Sequence, residues 1–344
     1  MTIESPWVDE FELPSETDYE NLELEIINSS NQNLITYKTD PGKFNEPALP
    51  IKHNSKEEST IDQLLAKGKS FYQDPFSPEA ESYYKAILNR DSLESRANKE
   101  MGLINYYRRN LNSSEEYLKT SLLNDHLNNS YQTNYYLGLV LFEKNLLDSS
   151  VNYFEVAGRE KQYKGLSSFN LGKIALKEKN YNKAKSYFEE AIKFGEVHPY
   201  VYSYLAFTLR YLNEHVQAKN AIELSLNQDA LSFPAFFEDY FLTGLKSFPE
   251  ELHILLDRND STFIGSHLYI ENAIFYMEID AWSEASQILE NAIAFYERNN
   301  RPVYPVLHYY LGYCYNKLDE HSKMYEQFTS GSKACSKYVF PYNR

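Results

Sequence analysis

The side chains that could hold a metal ion or act as acid, base or nucleophile are scattered along this chain. Among the eight histidines, no two lie four residues apart, the spacing that would place a pair of metal ligands on one face of a helix. The two cysteines, Cys314 and Cys335, are too few for a four-thiolate zinc site or a disulfide scaffold, and are predicted to be small buried side chains. Carboxylates are frequent, but no pair stands apart as an acid and base set. These residues predict no metal site and no catalytic residues.

The sequence also lacks the short motifs of nucleotide-dependent and hydrolytic enzymes. It contains no Gly-x-Gly-x-x-Gly, no phosphate-binding loop ending in Gly-Lys-Ser/Thr, no His-Glu-x-x-His and no Gly-x-Ser-x-Gly. The segment Gly331-Ser332-Lys333 has no glycine-rich loop before it and is a poor phosphate site. We therefore expect a protein that is not an enzyme and needs no cofactor.

The charge balance argues against nucleic-acid and membrane partners. With 34 Lys and Arg against 49 Asp and Glu, the formal net charge is −15, which repels phosphate backbones and anionic lipid surfaces. The first 25 residues contain nine acids and no Lys or Arg, unlike a secretory signal, and no stretch approaches about 18 uninterrupted apolar residues. We expect a cytoplasmic protein with no nucleic-acid and no membrane partner.

Residues 1–60 differ from the rest of the chain in charge and in pattern. They carry 13 acids and four bases, more than half of the net charge. Apolar and acidic residues alternate from Leu22 to Ile26, a polar turn follows at 28–33, and Leu34–Tyr37 is typical of a returning strand. Three prolines among polar residues in 38–60 indicate a linker. This part is predicted to be an acidic segment with a β-hairpin and a Pro-containing linker.

From residue 61 onward, positions that must pack closely repeat at a nearly constant interval. Small residues recur after 34, 36, 34 and 34 residues, and each is followed by a second small residue twelve positions later and a large apolar one sixteen positions later. The sets are Gly68, Ala80, Tyr84; Gly102, Ser114, Leu118; Gly138, Ser150, Phe154; Gly172, Ala184, Phe188; Ala206, Ala218, Ile222; Ala273, Ala285, Leu289; and, more weakly, Gly312, Met324, Phe328. One degenerate unit fits at 231–260.

This spacing predicts helical hairpins stacked into a solenoid. Two helices cross closely where a small residue of each faces the other, and the large residue one turn later fills the gap toward the next hairpin. A single hairpin leaves an apolar face exposed, so successive hairpins share one continuous core. We expect an all-α array of about eight hairpins over residues 61–335, followed by a tail at 336–344.

Two units contain the Leu-Gly step and the series of small, aromatic and small residues that are typical of tetratricopeptide repeats (TPR). They are Leu137-Gly138 with Ser150, Phe154 and Ala157, and Leu171-Gly172 with Ala184, Phe188 and Ala191. The resemblance covers residues 61–335 and implies an all-α superhelix that binds a protein or peptide in its concave groove. The last unit departs from the pattern, because Met324 and Gly331 replace the expected small pair.

A broader resemblance concerns the order of the segments. An end-of-sheet hairpin, a linker, a repeat array and the tail Tyr338-Val-Phe-Pro-Tyr-Asn-Arg344 are similar to part of a family of large bacterial proteins. In that family a mutarotase-like β-supersandwich domain precedes the repeats. The resemblance implies that most of the β domain is missing here and is itself a candidate partner. It also supports a second hypothesis, an accessory region of a carbohydrate-active or sugar-sensing protein.

The TPR resemblance implies that the first helix of each hairpin lines the groove through its second, fifth, ninth, twelfth and thirteenth places. Aromatic residues occupy many of these places: Tyr72, Tyr106, Tyr107, Tyr135, Phe142, Phe169, Phe207, Tyr211, Tyr309 and Tyr313. Such side chains suit a peptide groove and also carbohydrate stacking, because they supply large contact area at low entropic cost. Tyrosine is abundant throughout, at 31 of 344 residues, so packing between repeats is the alternative.

One well-known TPR activity, the binding of acidic chaperone tails, can be checked residue by residue. The resemblance implies a carboxylate clamp of Lys, Asn and Arg at set places in three successive first helices. Leu65, Leu103 and Tyr136 stand at places where clamp residues are needed. We therefore expect no chaperone-tail binding. Self-assembly through the last unit, which has no obvious polar capping helix, is a third hypothesis.

Overall fold

The computed structural model describes residues 23–38, 56, 59–71, 77–125, 130–245, 248–256 and 264–333. The chain divides into two compact units, Met1–Ser59 and Thr60–Arg344. The proposed linker prolines, the tail at 336–344, Tyr72 and Cys335 lie outside the described residues.

The predicted β-hairpin is present in the first unit. Strands β1 (Glu23–Ile27) and β2 (Asn33–Lys38) pair antiparallel, with Leu24 opposite Tyr37. The turn between them has the backbone N–H of Asn28 donating to the Gln32 carbonyl.

The described residues of the second unit form sixteen α-helices in eight consecutive two-helix units; in seven units the two helices pair as a hairpin, and in the sixth, degenerate unit they pack mainly on neighbouring helices. Their bounds are α1 (Ile61–Ser70), α2 (Pro78–Leu88), α3 (Ser95–Tyr107), α4 (Leu111–Leu123), α5 (Tyr131–Glu143), α6 (Leu147–Ala157), α7 (Lys161–Lys177), α8 (Tyr181–Lys193), α9 (Pro199–Tyr211), α10 (His215–Gln228), α11 (Phe233–Thr243), α12 (Glu250–Leu256), α13 (Ile264–Met277), α14 (Trp282–Arg298), α15 (Pro305–Lys317) and α16 (His321–Lys333). The degenerate unit predicted at 231–260 corresponds to α11 and α12. The predicted all-α solenoid is confirmed.

Five of the hairpins are closed by a ring or branched side chain that lies directly on a glycine, and two have alanine at the same place, Ala206 and Ala273. A Cβ atom on Gly172 would lie 2.5 Å from Cε1 of Phe188, and one on Gly138 would lie 2.8 Å from Phe154. Phe154 also belongs to a buried cluster with Leu171 of the next hairpin, so the large residue both covers its own glycine and fills the gap to its neighbour. The small residue of the second helix approaches the same point, and the Ser150 hydroxyl donates to the Gly138 carbonyl at 2.8 Å.

The turn inside most hairpins uses a left-handed residue at a fixed place. Seven residues after the first small residue of a unit, the backbone φ is positive at Arg109, Asn145, Lys179, Asn213, Asp280 and Asp319. The next backbone N–H then donates to the carbonyl five residues earlier, as from Asn180 to Ala175 at 2.8 Å, which satisfies the end of the helix. Because the residue types vary, this regularity could not be predicted from the sequence.

The last described hairpin packs in the same way despite its unusual small pair. A Cβ atom on Gly312 would lie 2.5 Å from Phe328, while Met324 is partly buried at the place of the second small residue. Cys314 is fully buried, as predicted, and burial raises the pKa of its thiol to about 12. The thiol is therefore an apolar packing group at neutral pH.

Helix α13 packs on α9, although the degenerate unit separates the two helices in the sequence. Tyr204 of α9 stacks on Phe275 of α13 with ring centroids 4.1 Å apart, and its hydroxyl donates to the Phe275 carbonyl. Phe207 of α9 contacts Tyr276 of α13 with centroids 6.1 Å apart. These contacts make α9, α11 and α13 one packed block.

A buried guanidinium holds this block together. Arg210 of α9 contacts Glu238 of α11 at 2.9 Å and Glu284 of α14 at 3.1 Å. The Tyr276 hydroxyl donates to Glu238, and the Tyr211 hydroxyl donates to Glu284. Burial raises the pKa of Glu238 and Arg210 opposes that shift. One cation therefore serves two buried carboxylates, and the second oxygen of Glu284 has no hydrogen-bond partner among the described residues.

We predict that Gly172→Ala destabilises the solenoid by about 1–3 kcal/mol, because the new methyl group overlaps the buried ring of Phe188. Thermal melting followed by circular dichroism measures the loss. In a Phe188→Ala background the same glycine substitution should cost much less. Equal losses in both backgrounds would show that the ring does not set the helix spacing.

We predict that Arg210→Met costs about 3–5 kcal/mol at pH 7, because it leaves Glu238 and Glu284 buried without a cation. Adding Glu238→Gln and Glu284→Gln should recover part of the loss. The pKa of Glu238 is already raised, so protonation favours the folded state, and the Arg210→Met variant should melt higher at pH 5 than at pH 7. A variant whose melting temperature falls on acidification contradicts this account.

Candidate functional site

The first helices of successive hairpins adjoin, and we call the face that they form the inner side of the solenoid. Successive first helices contact one another directly, as α3 does with α5 and α5 with α7. The predicted groove residues that the structure describes lie on α3, α5, α7, α9 and α15. They separate into a partly exposed group near the start of the array, a packed group in the middle and a second partly exposed group on α15.

Four tyrosines form a continuous cluster across α3 and α5. Ring centroids are 5.6 Å apart for Tyr106 and Tyr107, 5.6 Å for Tyr106 and Tyr136, and 5.7 Å for Tyr135 and Tyr136, all in edge-to-face arrangements. The hydroxyls of Tyr107 and Tyr136 are 2.8 Å apart, and the Tyr106 hydroxyl donates to Glu143. Tyr107 keeps 42% of its surface exposed. We call these four residues the tyrosine cluster.

Tyr136 was not among the predicted groove residues, although it is a central member of the cluster. Its place in the repeat is one where the chaperone-tail clamp would need an asparagine. Its position next to Tyr135 on α5, opposite Tyr107 on α3, was the signal that could have identified it, because neighbouring first helices face each other across the groove.

Two hydroxyls of the cluster, those of Tyr106 and Tyr135, stay protonated at neutral pH. Burial raises the pKa of Tyr135 to about 12, and burial together with the nearby Glu143 carboxylate raises the pKa of Tyr106 further. A neutral phenol has one proton to donate: that of Tyr106 goes to Glu143, whereas the Tyr135 hydroxyl accepts from Asn170 and can donate to a carbonyl or carboxylate.

Basic side chains flank the tyrosine cluster on both sides. On α1 and α3, Lys69 and Lys99 share the single carboxylate of Glu100, at 3.9 and 3.5 Å. The Lys99 ammonium also donates to Gln132 of α5 at 3.1 Å. Two lysines share one carboxylate, so these three side chains carry one surplus positive charge. Glu100 is buried while Lys69 is half-exposed, so the surplus charge faces solvent at this end of the groove.

At the other end, α7 supplies a row of lysines without a compensating acid of its own. Its 17 residues include four lysines and no Asp or Glu. The Lys173 ammonium lies 5.0 Å from the centre of the Phe142 ring and 5.5 Å from that of Phe169, as in cation–π pairs. Lys177 lies 5.9 Å from the Phe142 ring centre.

The predicted residues in the middle of the array take part in packing. Phe207 is only 3% exposed, and Phe169 packs among Phe188, His198 and Tyr204. Tyr211 is partly exposed, but its hydroxyl donates to Glu284. The contacts of α13 with α9 cover this stretch, so Phe207 offers no surface to a ligand.

Tyr309 and Tyr313 form the second exposed group, on α15. Both rings are partly exposed, and Tyr313 meets Trp282 of α14 edge to face with centroids 5.6 Å apart. The Lys317 ammonium lies 5.4 Å from the Tyr313 ring centre and 5.7 Å from that of Trp282. The structure therefore does not join this group to the tyrosine cluster.

Three other features of the described part of the chain bear on function: its metal-ligating side chains, a buried histidine, and the length and apolar character of its helices. No group of three or more His, Cys, Asp or Glu is placed there to hold a metal ion. His253 stacks on Phe295, with its Nδ1 2.5 Å from the Tyr269 hydroxyl, and burial lowers its pKa to about 4. None of the described helices is long and apolar enough to span a membrane.

Comparison with known proteins relates the chain to helical-repeat structures. No family model and no curated protein matches the sequence. The type IV pilus biogenesis factor PilW is 15% identical, with a TM-score of 0.51 over 60% of this chain and 97% of that chain. Pseudomonas aeruginosa PilF is 18% identical, with a TM-score of 0.48 over 61% of this chain and 97% of that chain.

A further similar structure is the C-terminal part of a TPR repeat-containing protein from Cytophaga hutchinsonii. It is 12% identical, with a TM-score of 0.47 over 78% of this chain and 99% of that chain. Identities this low bear on the fold alone. Together with hairpins of about 34 residues closed by small residues, the similarity to PilW supports an all-α helical-repeat fold for the second unit of this chain.

Proposed function

We propose that this protein is a non-enzymatic scaffold that binds a protein or peptide segment along the inner side of α1, α3, α5 and α7. The tyrosine cluster carries the proposal. Its hydroxyls are ordered by hydrogen bonds, and Tyr107 remains 42% exposed.

An extended peptide matches the chemistry of this surface. Tyrosine gives broad apolar contact with few rotatable bonds, so its binding cost in side-chain entropy is low. The phenol hydroxyls and the Lys99 and Gln132 side chains add polar groups that can pair with peptide carbonyls. The cluster is already assembled in the free chain, which favours binding by a preformed site.

The exposed group on α15 suits a second contact by the same partner or by another segment. Tyr309, Tyr313 and Lys317 present aromatic surface beside a cation, as at the tyrosine cluster. A mutarotase-like β domain, the folded partner suggested by the wider sequence resemblance, would have to present a suitable segment to one of these two groups.

The carbohydrate hypothesis receives less support from the ring geometry. Sugar stacking needs an open aromatic face, whereas the interplanar angles of Tyr106 with Tyr107 and with Tyr136 are 63° and 72°. In these edge-to-face pairs one ring covers the face of another. Peptide binding, which also uses ring edges and hydroxyls, is therefore the function that the site supports best.

We predict that the intact chain enriches defined sequences from a displayed random-peptide library and that Tyr107→Ala weakens binding of the selected peptide at least about tenfold. That loss corresponds to about 1.4 kcal/mol, the low end for an aromatic contact at the centre of an interface. Fluorescence anisotropy with the labelled peptide measures the affinity, and Tyr107→Phe separates the ring from its hydroxyl.

Tyr325→Ala is the matched control, because Tyr325 is an exposed tyrosine (68%) on the second helix α16. It should leave the affinity unchanged. Equal weakening by both substitutions would remove the tyrosine cluster as the site. Capture of glycans that depends on Tyr107, with no enriched peptide, would favour the carbohydrate hypothesis instead.

A further inference from the structure

Two lysines of α7 are neutralised by acids that lie about a hundred residues away in the sequence. Lys173 contacts Glu278 at 2.9 Å, and Lys177 contacts Asp280 at 3.0 Å. Both acids belong to the turn between α13 and α14, so the contacts cross the inner side of the solenoid from the fourth hairpin to the seventh.

Lys173 and Lys177 form a largely buried and preorganised pair of cations. Lys173 and Lys177 expose only 11% and 12% of their side chains, and the Phe142 and Phe169 rings hold the Lys173 ammonium in place. The four-residue spacing of the two lysines puts both ammonium groups on one face of α7. Two poorly solvated cations on a helix without acids require an anionic partner.

The acids that occupy the site are held less firmly than the lysines. The side chains of Glu278 and Asp280 are 46% and 39% exposed, so each can turn into water without moving the backbone. Ile279 between them is buried and anchors the turn independently. The Tyr204 hydroxyl shares its one proton between Glu278 at 3.1 Å and the Phe275 carbonyl at 3.2 Å, so it keeps a partner when Glu278 turns away.

The lysine pair is also continuous with the tyrosine cluster. The Asn170 amide of α7 lies 3.4 Å from the Tyr135 hydroxyl, and Phe142 of α5 lies under Lys173 and next to Glu143, which accepts from Tyr106. A segment lying along the cluster would therefore reach the lysines at one end and the surplus charge of Lys69 and Lys99 at the other.

We propose that Lys173 and Lys177 form a carboxylate-binding subsite of the groove, that the partner is an acidic segment, and that Glu278 and Asp280 occupy the subsite in cis. This inference rests on the proposed function and specifies the partner's charge. A site that is filled by the chain's own carboxylates binds an external acidic segment with reduced affinity, because the ligand must first displace them. Removing the internal acids should therefore strengthen binding.

The test uses the full chain and a fluorescein-labelled hexaglutamate peptide, with anisotropy as the readout at low and at physiological salt. Glu278→Gln with Asp280→Asn should raise the affinity at least about fivefold, and Lys173→Gln with Lys177→Gln should lower it by a similar factor. The gain should vanish when both pairs of substitutions are combined. Asparagine tolerates the left-handed backbone at position 280, so the first variant keeps its turn.

The matched control is Asp148→Asn with Glu155→Gln on the second helix α6, which removes the same two negative charges at exposed positions. It should change the affinity less than twofold, and hexaglutamine should not bind. Equal gains from the control and from the Glu278 and Asp280 variant, or unchanged binding without the lysines, would overturn the proposal. If the double lysine variant loses helicity by circular dichroism, Lys177→Gln alone decides the matter.

These results are distinguishable from failure of the proposed function. Peptides that are selected from the library and depend on Tyr107, together with hexaglutamate binding that ignores the lysine pair, would leave the scaffold function intact and reject the acidic partner. Loss of both the Tyr107 dependence and the lysine dependence would reject the groove itself.

Discussion

The contact between a glycine of one helix and a large side chain of the next is the constraint on which the rest of the solenoid depends. Where a Cβ would lie 2.5 Å from Phe188, no other residue than glycine allows the ring to lie against the Gly172 backbone. Closing the hairpin in this way fixes the distance between its helices. It also sets the surface that the next hairpin receives, since Phe154 packs both on Gly138 and toward Leu171.

Identical hairpins would give every first helix the same surroundings. The degenerate unit changes the packing of the helices on either side of it. The short α12 follows α11, and α13 packs back on α9 through Tyr204 and Phe275. Arg210 then becomes a buried centre for carboxylates from two other hairpins. The same aromatic pattern therefore packs as core in the middle of the array and remains partly exposed at α3, α5 and α15.

The charges follow the same division. On α7 the lysines face the groove but are met by Glu278 and Asp280, which the packing of α13 brings across the inner side. At α1 and α3 two lysines share one buried carboxylate. An acidic net charge for the whole chain thus coexists with an inner surface that carries cations next to tyrosines, because charge is distributed by helix face rather than by composition.

The sequence by itself determined the all-α repeat, the number of hairpins, the β-hairpin and the paired small residues, because these depend on local periodicity and on spacing that recurs about every 34 residues. It also predicted Tyr106, Tyr107 and Tyr135 as groove residues, and the structure brings these three together. Only the tertiary structure decided that Tyr136 joins them, that Phe207 is buried and that Lys173 and Lys177 meet acids from a distant turn. The first outcome depends on how neighbouring first helices face each other, and the other two on the packing of α13 and its following turn against α9 and α7. Contacts between units two or three apart leave no periodic signal in the sequence.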